Sequence, residues 1–465
     1  MENDQAAAFW TPSIRKADGP VYLAIADALS ADILSGRLAE GSRLPPQRAL
    51  ADALKIDFTT VSRAYSEARK RGLVEGRVGQ GTYVKAKRLS ASRRPSSGLV
   101  DMSMNLPPRF DDPGLVARMW DGISDVQAAG GIDLLMRYQE AGGAARDREA
   151  GAFWLASRLE GVTPDRILVC PGAQCAMLAI AGVLAAPGEG ICVEALTYPG
   201  FRSAAAHLRI ELIGVPTDED GLIPEAFEKI CETQKPKALY CTPTLQNPTT
   251  ATLPLARRLA LLEIARRFHV PIIEDDAYGA LPVDPLPPLA ALAPDLVYHI
   301  AGLAKCIAPA LRIAYLVAPD GRAASRLVGA VRATASMASP LTAGIASRWI
   351  EHGIADAVLA AIRTETKSRY LIAKSILPLE HTCADPEAFH VWLTLTTPWT
   401  RGEFASRLRS VGIGVVASDA FALASPPEAV RLGLGAPETR EELTQSLRII
   451  ADLLSQSPAT SSMVV

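Results

Sequence analysis

Two periods of apolar residues alternate along most of this chain. Short apolar runs at 166–170, 191–194, 237–241, 270–275 and 295–300 have strand length and end in turn residues. That pattern predicts strands buried on both faces of a parallel sheet. Stretches with helical spacing lie between them, such as Ala173 to Ala181. Alternation of strand and helix predicts a doubly wound, mostly parallel α/β sheet. Further on, the runs 389–395 and 430–434 predict strands of a smaller α+β lobe, and the alanine-rich stretch from Leu341 to Ile376 predicts one extended helix crossing between lobes.

The N-terminal end follows another pattern. Apolar residues at helical spacing run from Val21 to Leu34, and the turn Gly41-Ser-Arg-Leu-Pro-Pro-Gln-Arg48 leads into a short helix carrying Ala49, Leu50 and Leu54. A third helix opens near Asp57, whose carboxylate can cap the amides at Thr59 or Thr60, and continues through Val61, Ala64, Tyr65 and Ala68. Two short helices joined by a tight connection suit a helix-turn-helix, whose second helix lays its first residues on base edges. Residues 73–84 then read as two short strands around a glycine turn, the shape of a wing. The predicted organisation is a winged helix-turn-helix over 12–85, a flexible Ser- and Arg-rich linker over 86–100, and a body over 101–455. Within the body a large lobe spans about 130–340 and a small lobe about 375–455.

Charge changes this picture. The net charge of −2 over 465 residues hides an asymmetry: residues 1–94 hold 16 Lys and Arg against 10 Asp and Glu, and the remainder 32 against 40. A basic end on an acidic body points to a nucleic-acid partner for the N-terminal part. The seven cysteines contain no CxxC, and the six histidines show no metal-ligand spacing, so neither a disulfide frame nor a metal site is expected. Without a signal-peptide pattern or an apolar run of the roughly 18 residues that span a bilayer, a cytoplasmic location away from membranes is expected.

Candidate chemistry gathers where the strands end. The run at 270–275 delivers Asp275 and Tyr278, the next leads to Lys305, and Arg312 follows. An amine to join an aldehyde, a carboxylate to keep a pyridine nitrogen protonated and a cation for a phosphate are what pyridoxal phosphate requires. The helix after Pro171-Gly172 adds amides near Ala173 and Gln174 that can cradle an anion.

The 64 residues from Val21 to Val84 resemble the winged-helix domain of GntR-type transcription regulators, through the turn at 41–48, Leu50-Ala51, Thr59-Thr-Val61, Ala64-Tyr65, Gly72 and Gly79-Gln-Gly-Thr-Tyr-Val84. The resemblance implies that Arg43 and Arg48 approach DNA near the turn, that Thr59, Thr60 and Arg63 sit at the recognition helix, and that Gln80 and Gly81 form the wing tip. Asp57-Phe58 stands where many relatives have Ser-Arg.

From Asp101-Met-Ser-Met-Asn-Leu-Pro-Pro108 to about Gly435 the chain resembles the fold-type I, pyridoxal-phosphate-dependent aminotransferase superfamily, as fused to a winged helix in the MocR subfamily of GntR regulators. The resemblance implies that Tyr198 stacks on the cofactor ring, that Asn247 and Tyr278 bond its phenolate oxygen, and that Arg431 grips an effector carboxylate. Asp275 matches the Asp of the superfamily's Asp-x-x-Tyr and is preferred over Asp276 as partner of the ring nitrogen, which leaves Glu274 and Asp276 to face loop or solvent. The relatives' usual serines stand here as Gly302 and Ala304, and a usual glycine as Thr250, so Arg312 carries more of the phosphate.

The function implied is a DNA-binding transcription regulator that senses an amino acid or amine effector through a pyridoxal phosphate Schiff base on Lys305. The partners implied are operator DNA and a second copy of the chain, in a homodimer where each DNA-binding domain often lies over the partner's large domain. Two alternatives are an active aminotransferase carrying a DNA-binding head, and a regulator whose cofactor site is degenerate.

Overall fold

The computed structural model describes residues 10–12, 20–34, 37–39, 41–70, 73–77, 81–84 and 100–456, and the chain divides into two compact units, Met1–Ser97 and Gly98–Val465. Gln80 at the expected wing tip and all but the last residue of the expected 86–100 linker lie outside the described residues.

In the first unit, helices α1 (Val21–Leu34), α2 (Gln47–Leu54) and α3 (Phe58–Lys70) precede a hairpin of β1 (Val74–Arg77) and β2 (Gly81–Val84). Asp57 begins α3 by accepting from the Thr59 amide at 2.7 Å. That bond satisfies one of the amides that a helix start leaves unpaired. Leu44 N donates to Thr82 O at 2.8 Å and Val84 N to Ser42 O at 2.9 Å, so the turn before α2 runs beside the wing. Leu29, Leu44, Leu50, Val61, Tyr65, Val74 and Val84 close one small core over these elements.

The second unit is built on seven strands: β3 (Ile167–Cys170), β4 (Gly190–Glu194), β5 (Glu211–Val215), β6 (Ala238–Cys241), β7 (Ile272–Asp275), β8 (Val297–Gly302) and β9 (Ala314–Val317). Their order across the sheet is β3-β9-β8-β7-β6-β4-β5. Pairing is parallel throughout except where β9 runs antiparallel between β3 and β8. Helix α4 (Ala173–Leu184) leaves the end of β3, and the four-residue α5 (Leu289–Leu292) precedes β8.

Successive residues of a strand point to opposite faces, and both faces are covered here. Cys192, Leu239, Ile272 and Val297 join one apolar cluster, while Val193, Tyr240, Ile273 and Tyr298 join the other.

The same alternation corrects the expected placement of two acids. Glu274 and Asp276 do not face loop or solvent; both are buried on the face opposite Asp275. Glu274 accepts from the amides of Leu289 at 2.7 Å and Ala290 at 3.0 Å and pairs with His299 Nδ1 at 2.8 Å. Asp276 pairs with the buried Arg158 and lies 3.5 Å from His299 Nε2. Buried carboxylates persist where such donors surround them.

The expected single helix from Leu341 to Ile376 is two, α6 (Pro340–Glu351) and α7 (Ile354–Ile376). His352 and Gly353 break it, Gly353 at a φ of 65° that glycine adopts without a steric cost. Beyond α7, the small lobe pairs β10 (Thr382–Ala384), β11 (His390–Thr394), β12 (Val416–Ala417) and β13 (Ala429–Gly433) in the order β10-β11-β13-β12.

Replacing Glu274 by Ala strands two helix-start amides and the His299 ring in the interior. A loss of at least about 3 kcal/mol is expected in denaturant unfolding of the full chain.

Candidate functional site

The carboxyl ends of β3, β6, β7 and β8 lie together, and parallel sheets bind ligands beyond such ends. Asp275 is the last residue of β7 and is buried. Its Oδ2 accepts from Tyr240 Oη at 2.7 Å, whereas Oδ1 meets no hydrogen-bond donor of good geometry among the described residues. Burial pushes its carboxyl up to about 6, against the Tyr240 bond and with the help of the Asp276 charge. Above that pH it presents an unpaired anionic oxygen, suited to a protonated ring nitrogen.

Lys305 follows β8, and burial together with the Arg431 charge brings its ammonium down to about 8, against the pull of Asp275. Its Nζ donates to the main-chain oxygen of Asn105, whose Nδ2 donates in turn to Tyr278 Oη at 2.8 Å. Tyr278 also packs on His390, with ring centroids 5.3 Å apart. Burial depresses the His390 imidazole to about 3, so it is neutral, with Nε2 3.0 Å from Gln246 O.

Arg431 comes from β13, a strand with neighbours on both sides, and is buried. It donates to Asn247 Oδ1 at 2.9 Å and to the main-chain oxygen of Ser103, and its guanidinium lies 5.3 Å from the centre of the Phe421 ring. With Asn247 Oδ1 engaged, its amide nitrogen is the group left to donate. Thr250, four residues after Gln246, takes a φ of 65° and holds its turn by donating to Gln246 O at 2.7 Å. A non-glycine residue there carries backbone strain.

A second cluster forms an anion cradle. Gly172 precedes α4 at a φ of 86°, and a Cβ there would lie 3.1 Å from an Arg312 guanidinium nitrogen. The first amides of α4, from Ala173 and Gln174, therefore open beside Arg312. Such amides lack intrahelical partners and carry the positive end of the helix dipole. A Cβ on Gly302 would stand 3.6 Å from that of Ala173, so Gly302 borders the cradle. The Tyr198 ring and the Gln174 side chain both lie over Gly200. Burial and Asp275 push the Tyr198 hydroxyl up while Arg312 and Arg431 pull it down, so this residue senses the cradle and the two buried charges alike.

The donor set fits pyridoxal phosphate: an unpaired buried carboxylate oxygen, a lysine with a lowered ammonium, and a glycine-floored cradle closed by arginine. The structure brings Lys305, Asp275, Tyr278, Asn247, Tyr198, Arg312, Ala173, Gln174 and Arg431 into one region. Sequence reasoning missed Asn105, Ser103, Tyr240 and His390. Their contacts with the site cross 200, 328, 35 and about 110 residues of chain, and nothing in local periodicity signals such pairings.

In the first unit Arg43, Arg48, Thr59 and Arg63 are exposed and Thr60 half-buried. Arg43 lies against Gly81 at the start of β2, its Nε 3.1 Å from where a Cβ would be. Arg48 lies 5.9 Å from the Phe58 ring centre at the start of α3, and Arg63 4.4 Å from that of Tyr22 in α1. One arginine thus stands at the wing and one at the start of the second helix of the helix-turn-helix.

Comparison with known proteins agrees with both units. The model of the aminotransferase class I and II family matches residues 99–450, and that of the gntR family of bacterial regulatory proteins matches 21–84. The chain is 32% identical over 453 residues to the uncharacterized HTH-type transcriptional regulator YdeF of Bacillus subtilis, covering 96% of each chain. It is 27% identical to the probable rhizopine catabolism regulatory protein MocR of Rhizobium meliloti, over 66% of each. Among solved structures, an archaeal alanine:glyoxylate aminotransferase superposes with a TM-score of 0.70 at 26% identity, over 77% of this chain and 91% of that one.

Asp275→Asn keeps an acceptor for Tyr240 and removes a buried charge. Because the folded carboxyl titrates near 6 and an unfolded one near 3.8, the native state bears the cost of ionisation at neutral pH and not in acid. The variant is expected to gain roughly 2 kcal/mol in unfolding of the cofactor-free chain above pH 6, a gain that fades as pH falls toward 4.

Proposed function

The chain belongs to the MocR-type subfamily of GntR transcription regulators, a winged helix-turn-helix joined to an aminotransferase class I and II domain, and on that premise we propose that it senses an amino acid or amine effector with pyridoxal phosphate held at Lys305. The observation that carries the reading is the pairing of buried Asp275 with half-buried Lys305: an unpaired carboxylate oxygen and a lysine whose ammonium is brought down to about 8. Bound pyridoxal phosphate supplies an aldehyde that takes up primary amines and a ring that absorbs visible light.

Each residue has a task toward that group. Lys305 anchors it through Nζ, Asp275 Oδ1 holds the proton on the ring nitrogen, and Tyr198 covers the ring face. Arg312 and the amides of Ala173 and Gln174 hold the phosphate; Asn247 and Tyr278 address the phenolate oxygen. Arg431 takes the carboxylate of an amino acid, for which a guanidinium fork is suited. In the first unit Arg43, Arg48, Thr59, Thr60, Arg63, Gln80 and Gly81 meet operator DNA.

A homodimer in the cytoplasm completes the proposal. Trp120, Ile132, Leu135, Met136, Tyr138 and Phe153 are exposed, and the helices Pro113–Gly130, Asp133–Met136 and Ala145–Leu155 that carry or flank them all pack on α6. So many large apolar side chains in one stretch suit a surface that a second copy covers. Among the described residues no helix is long and apolar enough to cross a membrane.

Mixing the purified chain with pyridoxal phosphate is expected to produce a visible absorption band, and borohydride followed by mass spectrometry to find the label on Lys305. Lys305→Ala should abolish both; a label elsewhere, or none, overturns the reading. The rate of capture should climb about tenfold per pH unit and level off near pH 8, where an ordinary lysine would keep climbing to about 10.4.

On duplex DNA, binding should weaken steeply with salt. Neutralising Arg43 or Arg48 is expected to reduce the slope of log K against log salt by about 1 each, measured by fluorescence anisotropy.

A further inference from the structure

The head of helix α3 carries an aromatic ring that the core of the first unit does not use. Among the described residues of that unit, Phe58 and Val21 are the large apolar side chains left exposed, Phe58 with 44% of its surface in solvent. A single exposed apolar residue is ordinary on a protein surface. Its place gives this one its meaning. Phe58 is the first residue of the second helix of the helix-turn-helix, the end that lies against base edges in the major groove. The core closes without it, through Val61, Tyr65 and Ala68 of the same helix. With Val61, Ala64, Tyr65 and Ala68 turned inward, Thr59, Arg63 and Ser66 are left exposed on the other side, and Phe58 stands at the leading edge of that outer face.

The side chains on either side of the ring are already engaged. Asp57 accepts from the Thr59 amide at 2.7 Å and also from the Thr59 hydroxyl. The hydroxyl has thereby given its one proton, and the carboxylate is held against the helix start. The Arg48 guanidinium lies 5.9 Å from the centre of the Phe58 ring, close enough for a cation to be drawn to an aromatic face, so the ring is braced from α2.

A phenyl ring offers neither a hydrogen-bond donor nor an acceptor. It has no answer to the polar patterns that guanine, cytosine and adenine present in the major groove, where the one apolar group is the C5-methyl of thymine. An arginine at a helix start forks instead onto guanine O6 and N7. With Asp57-Phe58 standing where many relatives have Ser-Arg, the head of this helix lacks the group that fits guanine and carries one that fits a methyl.

Resting on the DNA contact proposed above for the first unit, we propose that Phe58 is a specificity-determining residue that reads the methyl group of an operator thymine. Covering that methyl group takes it out of water, which is worth about fourfold in affinity.

The test selects duplexes from a randomised pool with the full-length chain, then replaces each thymine of the selected duplex in turn by deoxyuridine, which pairs in the same way and lacks the methyl group. Affinity is read by fluorescence anisotropy at one fixed salt concentration. At one thymine or more, the replacement is expected to weaken binding by the wild-type chain about fourfold. Phe58→Ala is expected to bind the thymine and uracil forms of that position equally, and to keep wild-type affinity for a scrambled duplex, which rests on phosphate contacts. A measurement without any variant accompanies these: 5-iodouracil at the same position puts a photoreactive iodine in place of the methyl group, and irradiation followed by mass spectrometry is expected to find the cross-link on Phe58. A duplex in which no thymine methyl group matters overturns the proposal. So does a methyl effect that persists undiminished in Phe58→Ala, or a cross-link on another residue; each of these leaves the DNA contact standing. Failure of the chain to enrich any duplex overturns that contact and this inference with it.

Discussion

The candidate site depends on keeping one carboxylate charged in the interior of the second unit. Asp275 has a donor for one oxygen and none of good geometry for the other, and its raised carboxyl measures what that costs. The cost is tolerable because its two acidic neighbours are disposed of on the opposite face. Glu274 serves the start of α5 and His299, and Asp276 serves Arg158. Had either faced the same way as Asp275, two like charges would share one low-dielectric space, and one of them would be protonated. Strand alternation therefore does more than pack the sheet: it singles out one acid from a run of three.

Around that anion the site carries two cations, the half-buried Lys305 and the buried Arg431, and the Arg431 charge adds to burial in lowering the affinity of Lys305 for a proton. One anion cannot neutralise both at contact distance. The remaining demand falls on neutral acceptors, Asn247 Oδ1 and the carbonyls of Ser103 and Asn105. Such bonds satisfy a buried donor without cancelling its charge, which leaves the site with an appetite for anions. The proposed carboxylate at Arg431 and phosphate at Arg312 would answer that appetite at two places. Tyr198, which responds to Asp275, Arg312 and Arg431 together, marks the space between.

Much of this architecture was legible in the sequence because it rests on local rules. Buried strands of four to six residues, a helix opening after a glycine, and an Asp cap at the start of the third helix each follow from propensity and period. The break at His352 and Gly353 was missed because alanine-rich helical spacing continues on either side, and one glycine in such a pattern is weak evidence for an end. The burial of Glu274 and Asp276 was missed for another reason. Their partners, Arg158 and His299, lie far away in the chain, and an acid without a visible partner is reasonably assigned to solvent.

The same distinction separates the parts of the candidate site. Lys305, Asp275, Tyr278 and Arg312 sit just beyond strand ends, where the path of a parallel sheet fixes what gathers. Asn105 and Ser103 belong to a turn segment with little periodicity, whose place is set by Met102 in the small-lobe core and by two glycines that leave room for its carbonyls. Such a segment acts through main-chain oxygens, which every residue type possesses. Its contacts with Arg431 and Lys305 are therefore not written in side-chain identity at 103 or 105, although the Asn105 amide does reach Tyr278, but in the absence of a side chain at 433 and 435. The informative residues for this segment are the glycines beneath it, and their meaning follows only once the fold has brought positions some 330 apart into contact.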